Sequence, residues 1–171
     1  LIVMNEVLGG SFSSRINLKL REEKQWTYGA FSYAERRLGK GPMVVGTDVQ
    51  TPNTVDAVVE LLAQLDLMAQ SGVNDAELAF AKDSWVKSLP GLFGLPPVQL
   101  TAAANLFAFN LPESYYADLV TKVKAVTLDD VKKVAPIVRE AGPDKEIVAR
   151  IFVAPNPDKA QVRAMAKFAI A

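Results

Sequence analysis

Apolar residues at the start of the chain recur with helical spacing. One helical face carries four of them: Leu1, Met4, Val7 and Leu8. No capping residue precedes them, so the pattern predicts a chain cut inside a helix, with its first strands missing. This helix is expected to stop at Gly9 and Gly10, because glycine tolerates the left-handed conformation that closes helices. A serine then caps a second helix, predicted from about Ser13 to about Lys24. Its partial apolar periodicity comes from three residues: Ile16, Leu18 and Leu20.

The pattern then changes to that of two strands. Residues Trp26 to Tyr33 are rich in aromatic and small side chains, and Met43 to Gln50 alternates between apolar and polar positions. The intervening residues 38–42, Leu-Gly-Lys-Gly-Pro, are typical of a turn. The sequence therefore predicts an antiparallel β-hairpin.

Helical periodicity returns after the hairpin. Thr51 and Pro52 open a helix that Gly72 ends, and its predicted buried stripe has five members: Val55, Val58, Val59, Leu62 and Leu65. Asn74 and Glu77 have the spacing of a capping box, which predicts a further helix to about Leu89.

Residues 90–97 contain three prolines and two glycines, so they are predicted to form an exposed loop. Five more elements follow in the prediction: a helix from Val98 to Asn110, a helix beginning at Pro112, a helix capped by Thr127 and Asp130 and ending near Val138, a strand from Ile147 to Val153, and a helix from Lys159 to Phe168. Because strands adjacent in sequence pair antiparallel, the expected fold class is α+β, with a mostly antiparallel sheet packed against helices in two layers. Residues 1–171 are expected to form a single domain.

Composition restricts the chemistry more than the pattern does. The chain contains no histidine and no cysteine, which excludes cysteine catalysis, Ser-His-Asp triads, HxxEH or HExxH zinc helices and zinc fingers within it. Nineteen basic residues balance nineteen acidic ones, so nothing favours nucleic acid. No apolar run reaches the ~18 residues of a membrane span. Lack of cysteine suits cytoplasm, mitochondrion and periplasm equally.

One segment carries a recognisable motif, within residues 8–29. Its defining parts are Leu8-Gly9-Gly10, Phe12, Ser14-Arg15-Ile16, Leu20-Arg21-Glu22 and Tyr28-Gly29. The segment closely resembles the second homologous domain of the pitrilysin, insulinase and mitochondrial-processing-peptidase family, whose pattern has an arginine and a tyrosine seven positions apart. Arg21 and Tyr28 match that spacing. Looser likeness continues through residues 112–116 and 126–131.

The resemblance implies the non-zinc-binding half of an inverted-zinc-motif metallopeptidase. In such enzymes a homologous domain, fused or separate, holds zinc on an HxxEH helix, while a domain like this one closes over a peptide substrate. Arg21 and Tyr28 are then expected to contact the peptide near the scissile bond, and Trp26 and Phe12 to line the groove. This chain itself needs no cofactor. The resemblance also favours the bacterial periplasm.

The sequence departs from the family pattern at Gln25-Trp26, where a glycine is common before the Tyr-Gly pair. Without the resemblance, Arg21 would be a solvated helix end beside two glutamates, Tyr28 an ordinary strand aromatic, and Trp26 a core residue. Gly9-Gly10 lacks the lysine and second glycine of a phosphate-binding loop, so a helix stop is favoured there.

Several alternatives stay open at this point. The chain could be a degenerate peptidase-like scaffold, comparable to the core subunits of respiratory complexes, or an independent peptide-binding module. The segment 90–97 could be a hinge or an ordinary surface connection. Four aromatic residues could form a binding surface or pack inward: Phe107, Phe109, Tyr115 and Tyr116.

Overall fold

The computed structural model describes residues 1–39 and 41–139. It begins with two short helical segments that each widen into a π-helical turn. The first, α1, spans Ile2–Asn5 and continues through the π turn Glu6–Gly10; the second, α2, spans Arg15–Asn17 and continues through the π turn Leu18–Glu23. Each π turn adds one residue per turn to ordinary helical spacing, and such turns are frequent at functional sites.

The predicted hairpin is confirmed. Strand β1, Thr27–Ala34, pairs antiparallel with β2, Met43–Val49, and the register places Phe31 opposite Gly46. Residues Ala30 and Ser32 of β1 are buried, which shows the face that packs against the helices. The predicted strand at Ile147–Val153 lies outside the described residues, as does the predicted helix at Lys159–Phe168.

Helices make up the rest of the described chain. A 3₁₀ turn at Thr51–Asn53 leads into five helices: α3 Thr54–Ser71, α4 Asp75–Phe93, α5 Pro96–Ala108, α6 Tyr115–Ala125 and α7 Leu128–Val134, which ends in a 3₁₀ turn at Ala135–Val138. Helices packed against an antiparallel hairpin make the fold α+β, as the sequence predicts. None of these helices combines the length and apolar character needed to cross a membrane.

The core lies between α1, α2, β1 and the helices that follow the hairpin. Met4 and Leu8 of α1, Ile16 and Leu20 of α2, and Met68 of α3 are fully buried. On α3 the face that meets the core differs from the predicted stripe, since Val59 is exposed and the packed residues are Ala57, Leu61, Leu65 and Met68. Leu18 is likewise half exposed, so the predicted apolar face of the second helix was only partly right.

Both predicted capping boxes are present. Asn74 and Glu77 exchange side-chain to backbone hydrogen bonds of 2.9 Å at the start of α4, and Thr127 and Asp130 do the same at α7. Gly72 ends α3 with φ +64°, a backbone conformation that favours glycine.

The predicted loop at residues 90–97 is wrong. Helix α4 continues through Pro90 to Phe93, and α5 already begins at Pro96, so that only Gly94 and Leu95 connect them. Proline at the first position of a helix loses no hydrogen bond, which explains the start of α5. The helical turn at Pro90 is closed by the Gly94 N–H, which donates to the Pro90 carbonyl at 3.0 Å.

Candidate functional site

The motif segment is held against β1 by a close approach at Gly9. A Cβ on Gly9 would lie 2.6 Å from the backbone nitrogen of Ser32, so no larger residue fits there. Gly9 sits inside the π turn, and Gly72 is the glycine with positive φ in the described chain. The helix therefore ends at Gly10 as predicted, but Gly9 is required for close packing and not for a left-handed turn.

Asn17 ties α2 to β1. Its side chain is buried, and its Oδ1 accepts from the Ala30 N–H at 2.8 Å while its Nδ2 donates to the Ala30 carbonyl. Nδ2 also lies within bonding distance of the Ser11 carbonyl, at 3.2 Å, and of Ser14 Oγ, at 3.1 Å. Asn17 was not predicted as a site residue from the sequence, although its three-residue spacing from Leu20 places both side chains on one helical face.

Arg15 ties the same helix to α3 and α4. Its Nε and Nη2 each donate to the Glu77 carboxylate at 2.7 Å, and Nη2 also donates to the Gly72 carbonyl at 2.9 Å. These bonds to Arg15 lower the pKa of Glu77, although partial burial opposes the shift. The bidentate pair fixes the position of α2, which carries Arg21 in its last turn.

The reversal between α2 and β1 passes through Gln25. This residue has φ +56°, and the next N–H, that of Trp26, donates to the Leu20 carbonyl at 3.0 Å. A side chain with a Cβ is strained in that region, and glycine is not. The position where the sequence departs from the family pattern is thus a position whose backbone favours glycine.

Tyr28 lies in an irregular part of the hairpin. The ladder shifts register between Thr27 and Ala30, and Thr27 Oγ1 exchanges hydrogen bonds with the Gly29 backbone at 2.8 and 3.1 Å. Thr47 Oγ1 adds a further bond to the Gly29 carbonyl at 3.0 Å. Tyr28 is 102% exposed. Bulges of this kind re-aim a side chain, and here the phenol is presented to solvent.

Arg21 is partly covered, with 30% of its side chain exposed. Its guanidinium carbon lies 4.0 Å from the centre of the Phe12 ring, and its Nη1 lies 3.4 Å from the Glu22 carboxylate. Within the described part of the chain, Nη1 is buried and has no hydrogen-bond partner. The neighbouring Glu23 is engaged by Lys19 at 2.7 Å.

The two predicted groove residues differ in environment. Phe12 is 68% exposed, and its ring stacks on the guanidinium of Arg21. Trp26 is only partly exposed and packs against the core cluster, with Lys24 Nζ 5.4 Å from its ring. Trp26 precedes β1, whose first residue is Thr27.

The other aromatic residues considered from the sequence do not share one environment. Phe107 is 92% exposed, whereas Tyr116 packs edge-on against Phe93 with 5.2 Å between ring centres. Tyr115 accepts a hydrogen bond of 2.9 Å from Arg36, whose guanidinium also lies 5.7 Å from the Phe109 ring. These contacts join the hairpin end to α6, and they give Tyr115 and Phe109 a structural role.

A shallow groove of about 420 Å³ lies between α4 and α6. It is lined by apolar side chains and one tyrosine: Val86, Leu89, Pro90, Phe93, Tyr116 and Val120. The Tyr116 hydroxyl donates to the Ala102 carbonyl at 3.4 Å. The groove therefore offers packing surface but no acid, base or cation for chemistry.

Metal binding has no support within residues 1–39 and 41–139, where no group of three or more histidine, cysteine or acidic side chains is arranged to hold an ion. The absence of histidine and cysteine from the whole sequence removes the usual zinc ligands. The residues of this chain thus do not fit a zinc centre of their own.

Comparison with known proteins assigns the motif segment to a family. Residues 1–84 match the family described as peptidase M16 inactive domain. The chain is also similar to YmxG of Bacillus subtilis, named as an uncharacterized zinc protease, with 35% identity over 92 residues that cover 52% of this chain and 22% of that protein.

Two solved structures share the fold. A peptidase M16 inactive domain from Pseudomonas fluorescens superposes with a TM-score of 0.70 at 21% identity, covering 80% of this chain and 32% of its own. An inactive peptidase domain from Bordetella parapertussis gives 0.65 at 20% identity, covering 80% and 74%. The chain spans about a fifth of YmxG and about a third of the Pseudomonas chain. Residues 1–84, just under half of the chain, match the sequence pattern of the peptidase M16 inactive domain family.

Proposed function

We propose that this chain is the non-catalytic, substrate-clamping half of a zinc metalloendopeptidase. Arg21 and Tyr28 bind the peptide near the scissile bond, while zinc and the general base come from a homologous domain or subunit. The observation that carries the proposal is the presentation of Tyr28, which is 102% exposed at a bulge of β1.

The chemistry of the pair suits a peptide carbonyl. A guanidinium offers five donors and a permanent charge, and a phenol adds one donor. Donors aimed at a carbonyl oxygen favour the negative charge that develops there during hydrolysis. Nη1 of Arg21 makes no hydrogen bond within the described residues, so this donor is not committed to another group of the chain.

Charges around Arg21 leave it able to take a new partner. Glu22 is 56% exposed, so its attraction at 3.4 Å is screened by water and contributes little. Glu23 is held by Lys19. Among the described residues, a substrate oxygen therefore competes with a weak ion pair for the guanidinium.

Peptide cleavage tests the proposal. The full chain is combined with an HxxEH-bearing peptidase subunit from the same genome and assayed with a quenched-fluorescent decapeptide library. We expect Arg21→Ala and Tyr28→Phe each to lower kcat on the order of 10²-fold, as for removal of one oxyanion donor, with zinc content unchanged.

Two matched variants serve as controls. Arg37→Ala removes an exposed arginine that pairs with Glu35 in the hairpin connection, and Tyr33→Phe removes the hydroxyl of a half-exposed tyrosine further along β1. Both are expected to keep full turnover. Cleavage that is unaltered by Arg21→Ala and by Tyr28→Phe, yet still requires this chain, would refute the clamp and leave a scaffold role.

A further inference from the structure

We infer that Phe12 is a positioning residue for Arg21, holding the guanidinium by stacking so that its hydrogen-bond donors stay available. The inference rests on the proposed function of Arg21. Its basis is the 4.0 Å separation between the Arg21 guanidinium carbon and the centre of the Phe12 ring.

Core packing does not explain Phe12. The side chain is 68% exposed, and leaving so large an apolar group in water forgoes the gain from burial. Within the described residues its ring contacts a cation, and a cation within about 6 Å of a ring centre is attracted to the ring face. The cation–π contact with Arg21 therefore explains why this ring lies at the surface.

The loop that carries Phe12 is fixed on both sides. The Ser14 N–H donates to the Ser11 carbonyl at 3.1 Å, and Ser11 Oγ donates to the Glu6 carbonyl at 3.1 Å. The buried Asn17 amide also donates to the Ser11 carbonyl at 3.2 Å. A ring on a loop held in this way can restrict the long side chain of Arg21, which would otherwise sample many rotamers.

The mode of contact matters for function. A bidentate pair with Glu22 would occupy the N–H groups of Arg21, whereas the observed Nη1–carboxylate separation is 3.4 Å without a hydrogen bond. Stacking uses the flat face of the guanidinium, while its donors lie in the plane. Phe12 thus orients Arg21 without consuming the donors that a peptide carbonyl needs.

The stacking is tested by NMR on the full 171-residue chain. We expect the ring current of Phe12 to shift the Arg21 Nε–Hε resonance, which is assigned by its loss in Arg21→Ala. We expect Phe12→Leu to move it towards the position of a free arginine and Phe12→Tyr to retain it. Phe107→Leu, which removes an aromatic that is 92% exposed on α5, is the matched control and leaves it unchanged.

The positioning role is tested in the cleavage assay. Phe12→Leu is expected to lower kcat about two- to five-fold, the size of one exposed cation–π contact, with KM nearly unchanged and the thermal midpoint retained. Phe12→Tyr restores turnover. An Arg21 resonance that does not move in Phe12→Leu overturns the inference, and so does unchanged kcat when the resonance does move. Failure of the proposed function is seen separately, as full turnover in Arg21→Ala.

Discussion

The Asn17 side chain forms hydrogen bonds with the backbone of one β1 residue, as a neighbouring strand does along its whole length. It accepts from the Ala30 N–H and donates to the Ala30 carbonyl, and all of these atoms are buried. A buried backbone group without a partner costs about as much free energy as a lost hydrogen bond. The Asn17 amide avoids this cost because it pairs with both backbone groups of Ala30. The same side chain holds the loop of Phe12 and the strand that carries Tyr28.

Replacing Asn17 by alanine is expected to lower the free energy of unfolding by about 2–4 kcal/mol, because two buried backbone groups of Ala30 lose their partner. The measurement is urea unfolding followed by circular dichroism. Asn53→Ala is the control, since its side chain makes a single 3.5 Å contact with Gln50. A loss below that of the control would contradict the assigned role.

Gln25 is strained by its positive φ of +56°. We expect Gln25→Gly to raise the free energy of unfolding by about 1 kcal/mol, since glycine adopts this conformation without a steric penalty. Lys24→Gly is the matched control. Lys24 has φ −87°, which suits residues with a Cβ, so glycine at this position should lower the free energy of unfolding. Equal changes in the two variants, measured as urea midpoints, would argue against strain at Gln25.

At the scale of elements, α2 is positioned by bonds to three other elements. Arg15 joins it to the end of α3 and the first turn of α4, and Asn17 joins it to β1. The capping box at Asn74 and Glu77 was predictable from sequence, because its residues are local. The Arg15–Glu77 pair was not, because its partners are 62 residues apart.

Acid should weaken this junction. The pKa of Glu77 is lowered from 4.5 in the folded state, so its contribution to stability is present above about pH 4.5 and is lost as the pH falls through the folded value. Glu77→Gln is expected to be less stable at neutral pH and to lose less stability on acidification.

The measurement is the free energy of unfolding by urea from about pH 7 to about pH 3, where carboxylates take up protons. Glu113→Gln, at an exposed site, is expected to follow the unmodified chain. Asp130, whose pKa the Thr127 side chain also lowers, leaves some acid sensitivity in every variant. If the free energy of unfolding depends on pH in the same way for Glu77→Gln and for the unmodified chain, then Glu77 does not cause the acid sensitivity.

The packing of α1 on β1 depends on the absence of a side chain at Gly9. Gly9→Ala places a Cβ 2.6 Å from the Ser32 nitrogen, and the backbone must move apart. We expect a loss of about 1–3 kcal/mol or more in unfolding free energy, as for other overpacked sites. Gly91→Ala, on α4 with open space around it, should be neutral or stabilising. Thermal midpoints decide, and a Gly9→Ala midpoint equal to that of the control would contradict the packing argument.

At the scale of the whole molecule, helices and hairpin follow from local periodicity, whereas the parts that depend on tertiary contacts do not. The sequence predicted α3 and the inward position of Leu65, but it placed Val59 in the buried stripe, where the structure has Ala57 buried and Val59 exposed. Pro90 was expected to break α4, yet the helix continues to Phe93. Arg21 and Tyr28 could be nominated from the motif, while the bulge at Tyr28 and the stacking of Phe12 required coordinates.

The composition also predicts how the isolated chain responds to metal removal. With no histidine and no cysteine, it lacks the ligands through which zinc stabilises folds. We expect a chelator such as EDTA to leave its thermal midpoint unchanged, while abolishing cleavage by the complex with the HxxEH subunit. A fall in the midpoint of the isolated chain would reveal a stabilising metal bound by carboxylates.

The π turn that contains Arg21 and the bulge at Tyr28 are each one residue longer than the regular structure they interrupt. Deleting a residue from either would allow an ordinary helix or ladder to form, so the fold could survive the loss. The affected side chain would then point in another direction, because one residue corresponds to ~100° around a helix and to the opposite face of a strand. The seven-residue separation of Arg21 and Tyr28 is therefore a geometric constraint on chain length, and a shortened hairpin entry would give a stable protein in which these two side chains point in different relative directions.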